Sequence, residues 1–139
     1  MQSIQIRWLM PLSFFIFISY IIFLADTADH NFAFRLVGQV PYGDKVAHAV
    51  LYGVMALLLN YALGFTRVRL PTHLIKPFPK ILGALANAPY MGSIIVLAFA
   101  TLEELSQYYI PSRTFDMGDL LADFVGVALF SFLKNKNYV

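Results

Sequence analysis

Residues Trp8 to Ala25 read WLMPLSFFIFISYIIFLA, a stretch of 18 residues without a charged side chain. A helix of this length, at about 1.5 Å per residue, nearly crosses a hydrocarbon core of about 30 Å, so the stretch predicts a membrane-spanning helix. A secretory signal peptide, with Arg7 as its basic region, is the alternative. We favour a span, because no clear small-residue cleavage site follows before Asp26.

The composition extends this interpretation to the whole chain of 139 residues, of which 59% are hydrophobic and only 13% are charged. Soluble domains of this size carry more charge. The formal net charge of +2 is typical of Lys and Arg held at a cytoplasmic surface and does not indicate a nucleic-acid partner. The absence of cysteine excludes disulfides, thiolate metal sites and a cysteine nucleophile. We therefore predict an all-α integral membrane protein with one domain and the lipid bilayer as its solvent.

Three further apolar segments predict a bundle of about four transmembrane helices, with spans near residues 8–25, 46–65, 85–109 and 117–133. Asp44 is the expected N-cap of the second helix, and Pro89 suits the first turn of the third helix. Pro111 ends that third helix. The segment 65–80 contains three prolines, four basic residues and no acid, which predicts a cytoplasmic loop.

The distribution of Lys and Arg predicts the orientation. Seven of the ten lie in the N-terminal segment, the 65–80 loop and the C-terminal tail, which predicts a multi-pass protein of the cell (inner) membrane with both termini in the cytoplasm. All the acidic residues then fall at the outer face: Asp26, Asp29, Asp44, Glu103, Glu104, Asp116, Asp119 and Asp123. We interpret Asp26 and Asp29 as solvated loop residues. Because acids contribute little to orientation, their segregation calls for a functional account, and the predicted pocket comprises Asp44, His48, Glu104, Arg113, Asp119 and Asp123.

The second span starts DKVAHAVLY, which places Asp44, His48 and Tyr52 at four-residue steps on one helical face. This stripe is either a structural hydrogen-bonded ladder or part of a site that transfers a proton. In the second case His48 is the carrier, since imidazole titrates near neutral pH.

The third span ends TLEELSQYYIPSR, from Thr101 to Arg113. Glu103 and Gln107 share a face, whereas Glu104 is turned by about 100°, so we expect the two acids not to face one partner equally. Arg113 is the expected partner of a carboxylate at this membrane depth. The pair is either structural, or it holds an arginine that binds phosphate or carboxylate.

The last span starts DMGDLLADFVG, which places Asp119, Asp123 and Gly126 along one stripe. Asp123 lies a full turn inside an apolar helix and needs a proton, a cation or a hydrogen-bond donor, while Gly126 permits close helix approach. Oxygen and imidazole groups from three helix ends would suit a hard divalent cation: Asp44, His48, Glu103, Asp119 and Asp123. Because no established metal-ligand spacing is present, we predict no metal and assign no cofactor.

Four motifs occur in order: D-K-x-x-H-x-x-x-Y from Asp44 to Tyr52, E-x-x-Q from Glu104 to Gln107, R-x-x-D-x-x-D from Arg113 to Asp119, and D-x-x-G from Asp123 to Gly126. Together they resemble the VanZ-like membrane protein family. The resemblance implies a small multi-span protein of the cell envelope, in a family named for a member associated with resistance to the glycopeptide teicoplanin. The E-x-x-Q motif implies that Glu104, and not Glu103, is the acid that corresponds to the family's glutamate. Asp123 stands where the family commonly has Asn.

Two functions are compatible with these residues. The first is non-catalytic binding of an anionic lipid or lipid-linked saccharide at the outer face, with Arg113 and Lys45 on the anionic group. The second is a small intramembrane enzyme that acts on such a lipid with His48 as acid or base. In that case Glu104 is the carboxylate partner of His48 or a second acid or base, and Arg113 stabilises phosphate charge. An accessory subunit of a membrane complex and a proton- or cation-coupled carrier are further alternatives, and the sequence does not assign an oligomeric state. The expected ligand-binding residues are Asp44, Lys45, Tyr52, Gln107, Arg113, Asp116, Asp119 and Asp123.

Overall fold

The computed structural model describes residues 2–27, 32–69, 71 and 89–133. They form five helices, labelled α1 (Gln2–Asp26), α2 (Phe32–Gln39), α3 (Gly43–Ala62), α4 (Met91–Gln107) and α5 (Met117–Ser131). The β structure among these residues is an isolated antiparallel bridge between Arg67 and Tyr90. The prediction of an all-α protein is confirmed for the part of the chain that the structure describes.

The starts of α3 and α4 differ in detail from the sequence prediction. The N-cap of α3 is Tyr42, in a left-handed conformation, so Asp44 lies in the first turn and the predicted capping role is wrong. An acid in that turn still interacts favourably with the helix dipole. Pro89 precedes α4, which begins at Met91, and the Pro89 carbonyl accepts the N–H of Val68.

α3 is the central helix of the bundle and packs most extensively against α5, then against α4 and α1. Small residues explain the closeness of α3 and α5. A Cβ added to Gly126 would overlap the backbone carbonyl of Ala49, and one added to Gly53 would lie 2.9 Å from the Gly126 carbonyl oxygen. The prediction that Gly126 permits close helix approach is therefore confirmed. The hydrophobic core follows the same helices and comprises Ile18, Tyr52, Met55, Ala56, Leu59, Val96, Ala100 and Val127.

A buried polar network fixes the other end of the bundle. The Asn60 side chain on α3 accepts the backbone N–H of Ser93 at 3.0 Å and donates to the Ser93 hydroxyl at 2.8 Å. That hydroxyl also lies 2.8 Å from the hydroxyl of Ser131 on α5. Because the first N–H groups of a helix have no partner within the helix, Asn60 acts as a cap for α4 from a neighbouring helix.

Two helices are long and apolar enough to cross a membrane, α1 over Ile6–Asp26 and α3 over Gly43–Ala62. Only 17% and 28% of their apolar windows are buried inside the protein, far less than in a core helix of a soluble protein. α4 and α5 are shorter, with 17 and 15 residues, and also expose large apolar side chains such as Leu102 and Leu129. These features indicate a helical membrane protein.

Some sequence predictions lie outside the described residues. They are residues 85–88 of the third predicted span, most of the basic loop after residue 71, and the tail lysines Lys134 and Lys136. The acidic residue Asp29 also lies there.

Candidate polar site

Polar side chains from four helices meet at one end of the bundle. They come from the end of α1, the start of α3, the end of α4, and the start of α5 with the connection before it. We call this set the polar cluster: Asp26, Asp44, Lys45, His48, Tyr52, Glu103, Glu104, Gln107, Arg113, Asp116, Asp119 and Asp123.

Lys45 is surrounded by three carboxylates. Its Nζ lies 2.6 Å from Asp116 Oδ2, 2.9 Å from Asp119 Oδ1 and 3.4 Å from Asp44 Oδ2. An ammonium group has three hydrogens, so these contacts occupy its donors. Lys45 therefore joins the start of α3 to the start of α5, and its charge is already neutralised within the protein.

Asp116 connects the lysine to two helix ends. Its Oδ1 accepts the N–H of Gly118 at 2.7 Å and caps α5, while its own N–H donates to Glu104 Oε1 at 2.8 Å. The hydrogen bond from the Lys45 ammonium, together with the Gly118 N–H, holds the pKa of Asp116 below its ordinary value. The carboxylate is thus ionised at neutral pH and keeps the lysine in place.

His48 and Asp123 form an ion-pair contact one turn deeper in the bundle. His48 Nδ1 lies 3.0 Å from Asp123 Oδ1, and the Asp123 side chain is fully buried. Asp123 Oδ2 is also buried and has no hydrogen-bond partner among the described residues. His48 also stacks on the Tyr52 ring, with centroids 5.8 Å apart. The donor that Asp123 was expected to need is therefore the imidazole of His48.

Glu103 and Glu104 share one partner. Gln107 Nε2 lies 3.0 Å from Glu103 Oε1 and 2.9 Å from Glu104 Oε2, and all three side chains are buried. The expectation that the two acids would not face one partner equally is wrong. Positions four and three residues before Gln107 both lie next to it on a helix, and the amide has two hydrogens to donate. Tyr52 adds a longer contact to Glu103 at 3.4 Å.

Arg113 lies between two carboxylates without a close contact to either. Its guanidinium nitrogens are 3.6 Å from Asp26 Oδ1 and 3.7 Å from Glu103 Oε1, and its side chain is 18% exposed. Asp26 Oδ1 is buried and has no hydrogen-bond partner in the described structure. The adjacent Ser112 hydroxyl donates to the Asp26 carbonyl at 2.6 Å, which holds the α4–α5 connection against the end of α1.

The carboxyl oxygens of Asp44, Asp116 and Asp119 lie within 4.8 Å of one another, a spacing that can hold a cation. Lys45 Nζ lies within 3.4 Å of an oxygen from each of them. The lysine therefore supplies the positive charge that a metal ion would bring, and these three acids give no reason to assign a metal.

The four sequence motifs are contiguous in space, because Lys45 contacts Asp116, the Asp116 N–H donates to Glu104, and His48 contacts Asp123. A family model described as VanZ/LLP1 matches residues 2–134. The chain belongs to the VanZ/LLP1 family. The predicted resemblance is confirmed over nearly the whole chain. Comparisons with curated proteins and with solved structures gave no match.

In this VanZ/LLP1 protein the polar cluster contains every residue predicted for the site: Asp44, Lys45, His48, Tyr52, Glu104, Gln107, Arg113, Asp116, Asp119 and Asp123. Two pairings differ from those expected. The carboxylate partner of His48 is Asp123, and Glu104 is held by Gln107 and by the Asp116 N–H. An apolar groove of about 540 Å³ on the surface of α4, between Ile94 and Leu102, contains no residue of the cluster.

Two cluster residues were missed from the sequence. Glu103 was set aside in favour of Glu104, although its four-residue distance from Gln107 was a usable signal. Asp26 was interpreted as a solvated loop residue, yet its side chain is 28% exposed and faces Arg113. No local pattern indicates that contact, which depends on the end of α1 lying beside the α4–α5 connection.

Proposed function

We propose that this protein is a multi-pass member of the cell envelope that binds the head group of a lipid-linked saccharide at the polar cluster. In this proposal α1, α3, α4 and α5 cross the plasma (inner) membrane, both termini are cytoplasmic, and the cluster faces outward. The packing of Ile18 in the core supports α1 as a span of the bundle. The exposed apolar surfaces of α4 and α5 support their contact with lipid.

The observation that carries the proposal is the state of Arg113. Its side chain makes no hydrogen bond within 3.5 Å in the described part of the chain, although two carboxylates hold it in position at 3.6 and 3.7 Å. A guanidinium has five N–H donors in a fixed fork that matches phosphate or carboxylate. Arg113 is therefore the group available to an anionic ligand, whereas Lys45 is already used by three acids.

The excess of acids favours a saccharide over a simple anionic lipid. The cluster contains two permanent cations, Lys45 and Arg113, together with His48 and seven carboxyl groups. An anionic lipid without hydroxyl groups would bring further negative charge to these carboxylates. A saccharide attached through phosphate gives Arg113 an anion and gives the carboxylates hydroxyl donors, since ionised carboxylates only accept hydrogen bonds.

The test is lipid binding by purified, delipidated protein, measured by native mass spectrometry with two probes. One is a polyprenyl-phosphate-linked sugar and the other is the same polyprenyl phosphate without the sugar. We expect the sugar lipid to bind at least about tenfold more tightly, and Arg113→Gln to remove about tenfold or more of that affinity, as the loss of a charge-assisted bidentate contact predicts. Arg113→Lys should recover only part of it, because lysine lacks the planar fork.

Arg67→Gln is the matched control, because Arg67 is an exposed arginine stacked on Tyr90 and lies outside the polar cluster. Equal losses for Arg113→Gln and Arg67→Gln would indicate a general charge effect and contradict the proposal. Equal binding of both probes would contradict the proposal that the protein recognises the saccharide. Teicoplanin sensitivity of cells carrying each variant gives the envelope phenotype, and we expect Arg113→Gln to change it.

A second function, an intramembrane enzyme acting on the same lipid, is supported by the orientation of His48. Nδ1 lies 3.0 Å from Asp123 Oδ1, and this contact leaves the second ring nitrogen, Nε2, outside the pair. A carboxylate that fixes one ring nitrogen leaves the other to accept a proton, as in a general base. The same mass spectra discriminate the two functions, because a bound sugar lipid that changes mass on incubation indicates turnover.

The proposed topology gives a separate prediction. A reporter active only outside the cytoplasm, fused after Thr27, should be active, and the same reporter fused after Arg69 should be inactive, because Lys and Arg stay on the cytoplasmic side. Each fusion should be checked for expression by immunoblotting. The reverse pattern would place the polar cluster on the cytoplasmic side and would exclude a ligand located outside the cytoplasm.

A further inference from the structure

We infer that three exposed tyrosines beside the polar cluster, Tyr42, Tyr108 and Tyr109, form the surface on which a sugar ring of the ligand stacks. This inference rests on the proposed function and names the part of the ligand that the aromatic residues contact. Their exposed fractions are 76%, 78% and 84%.

The backbone of Tyr42 is the first observation. Its φ of 58° and ψ of 22° are left-handed, a conformation in which glycine or asparagine is normally found and a bulky residue is unusual. The next position is restricted to glycine, since a Cβ on Gly43 would overlap the Val37 carbonyl. The tight turn between α2 and α3 sets this backbone geometry. A tyrosine therefore occupies a position where glycine or asparagine would fit with less strain.

Among the described side chains, the ring of Tyr42 gives the fold little in return. It makes no hydrogen bond to cap α3, and it has no aromatic or ion contact among the described residues. With most of its surface exposed, it also contributes little packing. Strain that the fold does not use is commonly found at functional sites. The strain at Tyr42 is therefore explained by a contact made outside the protein.

The other two tyrosines flank the cluster from α4. Tyr108 and Tyr109 directly follow Gln107, and their rings meet edge to face with centroids 5.5 Å apart. Tyr42 precedes Asp44 and Lys45, and the contacts of Asp116 to both Lys45 and Glu104 bring the start of α3 and the end of α4 to the same cluster. Tyr42 thus stands next to the cluster at the start of α3, and Tyr108 and Tyr109 stand next to it after the end of α4.

The chemistry of these tyrosines and carboxylates fits a sugar. The face of an aromatic ring carries partial negative charge, so it attracts the C–H groups of a pyranose ring, while adjacent carboxylates accept its hydroxyl hydrogens. Tyrosine is also enriched at membrane interfaces for reasons unrelated to a ligand. An interfacial role predicts that a change at Tyr42 alters membrane insertion and leaves ligand binding intact, which makes the two roles separable.

The decisive variant is Tyr42→Asn, because asparagine tolerates the left-handed conformation and lacks an aromatic face. We expect its Tm to rise by about 3 °C or more, since strain is relieved, while affinity for the polyprenyl-phosphate-linked sugar falls by about tenfold. Tyr42→Phe should keep most of the affinity and show no gain in Tm. The Tyr108→Ala/Tyr109→Ala double variant should lose affinity without gaining stability.

The outcomes separate this inference from the proposed function. If wild-type protein binds the sugar lipid and Tyr42→Asn binds it equally well, the stacking surface is wrong and the proposed function stands. If wild-type protein does not bind the sugar lipid, both are overturned. If Tyr42→Asn loses affinity together with Tm, the ring has a structural role and the inference is overturned.

Discussion

Replacing Gly126 by alanine is expected to lower the free energy of unfolding by about 3 kcal/mol, at the upper end of the range for overpacked cores. The added Cβ would overlap the Ala49 carbonyl, which is backbone and cannot rotate away. α3 and α5 would have to separate, and this is the most extensive helix pair in the bundle. Since Asp123 lies one turn before Gly126, the same movement would draw its carboxylate away from His48.

Gly38→Ala is the matched control, because a Cβ at Gly38 meets no atom within 4 Å. Alanine favours a helix over glycine by about 1 kcal/mol, so this variant should be neutral or slightly more stable. Thermal unfolding in detergent, followed by circular dichroism, measures both variants. A Gly126→Ala protein as stable as Gly38→Ala would show that α3 and α5 do not pack as closely as the structure describes.

The role of Gly126 was predictable from the sequence, and so was the stripe formed by Asp44, His48 and Tyr52. Both inferences rest on helical periodicity, which fixes the residues that share a face before the neighbours of the helix are known. The position of the acids at one end of the predicted spans followed from a different signal, the ends of the apolar segments.

The partners of these residues could not be predicted in the same way. In the enzymatic alternative Glu104 was one candidate partner of His48. The imidazole instead meets Asp123, because Gly53 and Gly126 bring α5 against α3 at that height. The contact of Asp26 with Arg113 likewise depends on where α1 lies in the bundle. Contacts between helices depend on how the helices pack. A single sequence indicates only which face of each helix is available for packing.

His48→Ala is expected to cost about 3–5 kcal/mol, because it leaves a fully buried carboxylate without its partner. Asp123 has a second oxygen that is already unpaired in the described structure, so no nearby protein group replaces the imidazole. The penalty should exceed that of the lost side-chain volume alone. Folded yield and thermal unfolding in detergent measure it.

Asp123→Asn is the companion variant and should cost far less. The amide oxygen can still accept a hydrogen bond from His48 Nδ1, and no buried charge remains to be compensated. Because this variant should fold, its effect on the bound sugar lipid is interpretable. Retained binding with loss of turnover would favour an enzyme.

The double variant His48→Ala/Asp123→Asn completes the cycle. If the cost of His48→Ala arises from an unpaired charge, removing that charge should recover most of the loss, giving a coupling of about 2–3 kcal/mol between the two positions. Additive losses would mean that Asp123 is neutral in the folded protein and that His48 contributes through packing on Tyr52. A neutral Asp123 would also remove the anionic partner that a general base at His48 requires, so the same cycle decides whether the enzymatic alternative keeps its main residues.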